Sequence, residues 1–431
     1  METQPGAASI VGELVSPYVL EHRRHNFTVM ALDFACYSVA MTFASTATIL
    51  PAFVERLGAP NVIIGAMPAI ATVGYSLPSL LVANYIERLP RKLPYIIKVG
   101  ALERLAMLAF AGVALLLAAT RPTLALVASL LAFAAMTLLG GAILPAWMDM
   151  FGKVMPLHYR GRQLATSSAL GAVVGIGGAL LSGRYLARYP FPTSYGLCFI
   201  TGFAAFVLSF VFLAATREPA VPTGKEHVGL ATYLRRMPAI LRGDRSYAWY
   251  LAGKCIGTLA AVGAGFYTVF ALRDLAAPEW QIARFTLMLL LGQTVASMLL
   301  GYLADRKGHK AVLLAGGLAI LGASLVALTA AGVERMYVVF LLAAVATAAG
   351  LVSDMSLAME FAPEADRPTY VGLSMTLAAP VAFVSPLIGG VLADFVSYRA
   401  VFLLAAVAAA AYVVVLALLV HDPRHRRSSV E

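Results

Sequence analysis

Residues 301–310 read Gly301-Tyr302-Leu303-Ala304-Asp305-Arg306-Lys307-Gly308-His309-Lys310. This short charged stretch is flanked by two long apolar runs, roughly 282–304 and 310–332. Each run is long enough to cross a bilayer as a helix, which takes about 20 apolar residues. The stretch therefore reads as a tight turn at a membrane surface. Working outward in both directions, the same alternation repeats along the chain. It predicts twelve spans, with span 1 at about 28–53 and span 7 at about 247–271.

Composition agrees. Of 431 residues, 60% are hydrophobic and 13% charged. A soluble domain carries about a quarter charged residues. That excludes an ordinary soluble enzyme, and disorder with it. The net charge of +10 would suggest nucleic acid on a soluble protein. Here the basic residues fall in short segments between apolar runs, where they act as orientation signals, so no nucleic acid partner is expected. With the N-terminus inside, Lys and Arg favour the inner segments by about three to one, which predicts both termini in the cytosol. Abundant Ala, and Arg in excess of Lys, suit a bacterial source, and the expected location is the inner (cell) membrane. Residues 1–27 lack the apolar run of a secretory signal.

The domain reading is a cytosolic N-terminal segment (1–27), a six-helix bundle (28–216), a charged central loop (217–246), a second six-helix bundle (247–420) and a cytosolic tail (421–431). Within the loop, residues 230–241 have the apolar spacing of an amphipathic helix lying on headgroups. The two bundles repeat. Leu57-Gly58-Ala59-Pro60 returns as Leu275-Ala276-Ala277-Pro278, Gly74 as Gly292, and Glu87-Arg88-Leu89-Pro90-Arg91-Lys92 as Asp305 to Lys310. Pro156 and Arg160 return as Pro363 and Arg367. Six spans duplicated in parallel make the fold class an all-α membrane protein with two pseudo-symmetric bundles. The substrate site is expected between them.

The 301–310 stretch resembles the loop 8–9 signature of the major facilitator superfamily, Gly-x-Leu-Ala-Asp-Arg-x-Gly-Arg-Lys. His309 replaces an Arg. The loop 2–3 copy is degraded, with Ala83, Glu87 and Pro90 at the Gly, Asp and second Gly positions. The resemblance implies a latch on the cytosolic side, built from Gly301, Asp305, Arg306, Gly308 and Lys310, with Glu87, Arg88 and Arg91 in the weaker copy. Asp305 is expected to cap a neighbouring span of the first half. Asp149 and Glu360, which close spans 4 and 10, are expected to pair with Arg88 or Arg91 and with Arg306. Physically, Gly301 admits a close helix, an acid suits a helix N-terminus, and Arg suits a carboxylate. The glycines of span 5 (Gly171, Gly175, Gly177, Gly178, Gly183) read best as close helix packing. Pro380, Pro386, Gly389 and Gly390 can bend span 11.

Charges inside a span cost enough to be functional hypotheses by default. Asp33, Lys254 and Asp354 fall on the spans that line the cavity in the resembled fold. They sit at one level, about 10 Å from the cytosolic ends at 1.5 Å per residue. Tyr37 shares a face with Asp33. These four form the expected coupling site, with Asp33 first, Asp354 second and Lys254 as switchable partner; a structural ion pair that holds the cytosolic ends together is the alternative. Lys98, Glu103 and Arg104 lie on span 3, outside the expected cavity, and are expected to satisfy one another or to reach the cytosolic edge. The remaining cavity is lean, with Phe34, Tyr37, Trp147, Phe266, Tyr267, Gln293 and Ser353. That suits an amphipathic or weakly charged organic molecule better than a sugar.

No metal-ligand spacing, phosphate loop or nucleophile elbow occurs, so no cofactor, metal or enzymatic activity is expected. The cysteines, Cys36, Cys198 and Cys255, lie in apolar runs and read as small hydrophobes. The functional expectation is a monomeric secondary active transporter exporting a small molecule in exchange for protons. A metabolite uptake permease, or a facilitator-fold lipid flippase or sensor, are the alternatives.

Overall fold

The computed structural model describes residues 17–220, 244–363 and 367–422. The expected amphipathic helix at 230–241 lies outside the described residues, as do parts of both terminal segments. Among the described residues, twelve helices are long and apolar enough to cross a membrane. In chain order, spans 1 to 6 are Pro17–Phe43, Asn61–Glu87, Leu93–Gly112, Pro122–Val154, Leu157–Arg188 and Thr193–Ala214. Spans 7 to 12 are Arg245–Ala260, Gln281–Lys307, His309–Leu328, Glu334–Phe361, Arg367–Phe395 and Tyr398–Val414.

Two boundaries differ from the sequence expectation, in corresponding places. Span 1 begins at Pro17, within the expected N-terminal segment, and breaks after Phe43, before a short helix Ile49–Arg56. Hydroxyl and β-branched residues at Ser45, Thr46 and Thr48 favour that break. Span 7 passes through a 3₁₀ stretch, Ala261–Gly265, into a short helix Tyr267–Arg273, where Gly263 and Gly265 weaken the α-helix. The early start of span 1 is held by Asn26. Its side chain donates to the Arg217 carbonyl at 3.0 Å and accepts from the Arg217 N–H at 2.9 Å. Asn26 is therefore level with the end of span 6, and Asp33 lies about two turns deeper.

The repeat is visible in packing. Gly74 of span 2 faces Thr137 of span 4, and Gly292 of span 8 faces Ala344 of span 10. Edge-to-face rings, Phe53 with Phe199 and Phe270 with Phe402, both 5.1 Å between centroids, occupy equivalent places. The turns repeat too. Gly58 has φ +84°, and its counterpart Ala276 has φ 49°, a left-handed conformation that costs an L-residue about 1–2 kcal/mol.

The apolar core decides the shape. One buried cluster joins both halves, running from Ile49 and Phe53 through Phe266, Phe270 and Phe402. It lies at the face opposite the termini, here the far face. At the terminal face the core splits. Val29, Ile96 and Met150 belong to one cluster in the first half, and Tyr250, Leu357 and Leu416 to another in the second. Among the described residues, the two halves join at one face, stay separate at the other, and enclose a cavity open toward the terminal face.

Candidate functional site

The far face is closed by bonds between the halves. Asp394, at the end of span 11, accepts from the backbone N–H groups of Asn61 (2.8 Å) and Val62 (2.9 Å), the first turn of span 2. An acid at a helix N-terminus satisfies donors the helix cannot and opposes its dipole. Arg273 donates to Glu55 (3.1 Å), to the Ala59 carbonyl (2.8 Å) and to Asn61 (3.2 Å). Arg56 pairs with Glu279. Thr268 donates to the Ala47 carbonyl at 2.7 Å, and Thr48 and Thr286 share a hydrogen bond at 2.7 Å. Gly390 sits against Val62, so close that a Cβ there would lie 2.6 Å from the Val62 Cα.

Among the described residues the terminal face shows no such closure, and several sequence expectations change accordingly. Asp305 is exposed and caps no helix of the first half among the described residues. Gly301 has open space where a neighbour was expected. Arg306 lies over the Tyr302 ring, 4.4 Å from its centroid, rather than on Glu360. Glu360 instead lies 3.9 Å from His309. Asp149 pairs with Lys92 (3.3 Å) and Lys153 (3.0 Å), not with Arg88 or Arg91, which are exposed, as is Glu87. These pairs stay within one half. Long exposed arginines on the loop gain little from a carboxylate already neutralised by nearer lysines. Lys310 donates to the Ala417 carbonyl at 3.3 Å, and Gly308 takes φ +88° to turn the chain between spans 8 and 9. Pro90, in the equivalent place of the first half, cannot take that conformation.

Helix capping by an acid does occur at the terminal face, from another residue. Buried Glu218 accepts from the backbone N–H groups of Lys92 (2.8 Å) and Leu93 (2.7 Å) at the start of span 3. The Lys92 side chain is 1% exposed. Burial, then the neighbouring Lys153, pull its ammonium below the ordinary lysine range, partly offset by Asp149.

Inside the bundle the charges fall into two groups, one in each half. In the second half, Lys254 donates to Asp354 at 2.7 Å and to Ser374 at 3.2 Å, and Tyr250 donates to Asp354 at 3.0 Å. This pair ties spans 7, 10 and 11. In the first half, Asp33 accepts from Ser209 of span 6 at 2.6 Å. Arg104 of span 3 donates to Glu103 (2.8 Å) and to the Gly100 carbonyl (3.0 Å), and reaches Ser209 at 3.5 Å. Tyr37 donates to Glu103 at 3.4 Å. Asp33 is thus bonded within its own half, and Lys254 is bonded to Asp354. The sequence left open whether Asp33, Lys254 and Asp354 form one network; in this conformation they form two, because each half supplies a nearer partner.

Glu103 and Arg104 were expected to satisfy one another, and they do. Their position was misjudged: both are buried and line a pocket with Asp33. Lys98 is exposed and apart from them. The adjacent acid and base at mid-span were the available signal. Ser209 and Tyr75 carried none. The pocket, about 230 Å³, is set into the first half and includes Phe34, Tyr37, Tyr75 and Trp147. A second cavity of about 370 Å³ lies between the halves beneath the far-face closure, lined by Thr46 and Pro68 from one half and Thr258 and Ser385 from the other. Phe266 is buried in the core, and Tyr267, though also buried, lines a third cavity of about 210 Å³ with Leu289 and Phe340, as expected. Gly171 and Gly175 face Ser38 and Thr42 of span 1, the close packing expected. No group able to hold a metal ion occurs among the described residues.

Residues 274–431 match the family model described as Major Facilitator Superfamily. No curated protein matches the chain in sequence. Among solved structures, the nucleoside transporter NupG (D323A mutant) is similar with a TM-score of 0.71 at 13% identity, covering 92% of this chain and 100% of that one. A bacterial homologue of the iron transporter ferroportin, inward-facing, gives 0.68 at 14% identity over 91% and 98%. A bacterial homologue of the human lysosomal transporter Spinster, inward-facing and unoccupied, gives 0.65 at 15% identity over 94% and 98%. At these identities the likeness carries the fold. Among its described residues the chain has twelve helices able to cross a membrane and the fold of the major facilitator transporters, and residues 274–431 also carry that superfamily's sequence pattern.

Proposed function

We propose that this chain is a secondary active carrier of the bacterial inner membrane that exports a small organic molecule in exchange for protons by alternating access. The observation that supports it is an imbalance of charge. The first-half cluster holds two carboxylates, Asp33 and Glu103, and one guanidinium, Arg104. Arg104 is committed to Glu103. Asp33 is held by neutral donors, the Ser209 hydroxyl at 2.6 Å and the Trp147 indole. A carboxylate in a membrane interior without its own cation is costly, and taking up a proton removes that cost. Asp33 is therefore the residue assigned to carry the proton. The Lys254–Asp354 pair is already neutral as a unit, and its role is to tie spans 7, 10 and 11 together.

The basic-residue bias makes the terminal face cytosolic. On that orientation the conformation described is open inward and closed outward, one end of an alternating-access cycle. The small apolar lining of the cavities suits an amphipathic or weakly charged solute. The test is purified protein in liposomes that enclose a pH dye, with solutes of graded charge and hydrophobicity added outside. A productive solute is expected to cause proton movement in the direction opposite to its own. Solute movement that never moves protons, across such a panel, would overturn the proposal.

A further inference from the structure

We propose that the first-half pocket binds a small lipophilic organic cation, held by the Asp33 carboxylate and the rings of Phe34, Tyr37, Tyr75 and Trp147. This names the substrate class for the carrier reading above and rests on it. Charge selects the sign. Arg104 is clasped between Phe206 and Phe210, 5.4 and 5.2 Å from their centroids, and donates to Glu103 and the Gly100 carbonyl. It is spent on its own half. What remains facing the pocket is one net negative charge, centred on Asp33, whose hydrogen-bond donors, Ser209 and Trp147, are neutral. An anion would add to that charge, and a neutral solute would leave it buried without compensation.

The wall selects the rest. Aromatic rings carry negative faces that attract an organic cation. Ile143, Leu144 and Met148 complete an otherwise apolar lining. A sugar or a zwitterion would find few hydrogen-bond partners here. About 230 Å³ is the space of about eight waters at about 30 Å³ each, which suits a ligand of one ring and a compact charged head.

Cation and proton then share one seat. When the carboxyl of Asp33 is protonated, the pocket has no excess charge and the cation is released. When the cation enters, the proton leaves to water in the cavity. The groups facing Asp33 are Arg104 and Glu103 from span 3, Ser209 from span 6, Trp147 from span 4, Tyr75 from span 2, and Cys36 and Tyr37 from its own helix. Of the two carboxylates, Glu103 holds the Arg104 guanidinium at 2.8 Å and Asp33 has no cation of its own, so the exchange is assigned to Asp33.

The test uses the full chain in lipid nanodiscs and three probes of similar size. They are phenyltrimethylammonium, uncharged cumyl alcohol and benzenesulfonate. Phenyltrimethylammonium is expected to bind at least about ten-fold more tightly than cumyl alcohol, with benzenesulfonate weaker still. Its binding should weaken as pH falls, and its addition to weakly buffered protein should release protons. Asp33→Asn should weaken cation binding about ten-fold or more, and Asp33→Glu should restore part of it. If Asp33→Asn does not fold, Trp147→Leu reads the same site: a loss of about three-fold or more for the cation and none for cumyl alcohol. Equal binding of cation and cumyl alcohol, or parental cation binding in Asp33→Asn or Trp147→Leu, overturns the proposal. Proton-coupled movement of an uncharged solute with no cation binding would overturn the substrate class and leave the carrier reading intact. Cation binding in a protein that moves no solute would overturn the carrier reading and leave the site.

Discussion

Asp394→Ala should open the far face. The side chain accepts from two backbone donors of span 2, at 2.8 and 2.9 Å, across the boundary between halves. Removing an N-cap costs about 0.5–2 kcal/mol, and an acid near a helix N-terminus adds about 0.3–1 kcal/mol at exposed sites. Asp394 is exposed, so a total of about 1–1.5 kcal/mol is the appropriate figure. These bonds exist only while the far face is closed. Their loss shifts the balance toward the state open at the far face by about five- to ten-fold, since 1.4 kcal/mol is a factor of ten. Asp394→Asn keeps an acceptor and should shift it less. The assay is the distance between spin labels on the far-face loops, at Thr120 and Ala331, with the native cysteines replaced. A longer-distance population should grow in the order parent, Asp394→Asn, Asp394→Ala. An unchanged distribution in Asp394→Ala would refute the latch, because no other role is assigned to this carboxylate.

Three further perturbations test neighbouring parts of the account. Gly390→Ala places a Cβ 2.6 Å from the Val62 Cα, so it should also shift the label distances outward, by steric pressure rather than lost bonding. Ala276→Gly relieves the φ of 49° and, after the entropy glycine loses on folding, should stabilise the protein by about 0.5–1 kcal/mol in a thermal melt; an unaltered or lower melting point would contradict the strain. The Lys92 ammonium is held below the lysine range chiefly by burial, so the unfolded chain binds that proton more firmly than the folded one. The Lys92 contribution to stability should therefore rise as pH climbs between the lowered folded value and the unfolded value of about 10.4. Melts of the parent and Lys92→Met across that range should diverge in the parent's favour.

The fold was legible because its signals are long. Twelve apolar runs of span length and a duplicated turn leave few alternatives, and the Gly58/Ala276 pair shows that the repeat reaches backbone conformation. The breaks in spans 1 and 7 were not legible, since runs of Ala, Thr and Gly read equally well as continuous apolar helix. Nor were the pairings. Sequence placed Asp33, Lys254 and Asp354 at one level, and levels cannot choose partners. Ser209 and Arg104, on spans 6 and 3, reach Asp33's surroundings from within the half. The physics of an acid capping a neighbouring helix was anticipated for Asp305. The conformation described uses Asp394 between halves and Glu218 within one. Which acid caps depends on which face is closed, and a sequence encodes both states at once.

The central claim, that the Asp33 carboxylate couples proton and solute, is tested most directly by comparing two modes of transport in liposomes. Asp33→Asn should lose accumulation driven by an imposed pH gradient while keeping measurable solute-for-solute exchange, because the halves still rock when no proton is needed. Accumulation by Asp33→Asn equal to that of the parent would contradict the account.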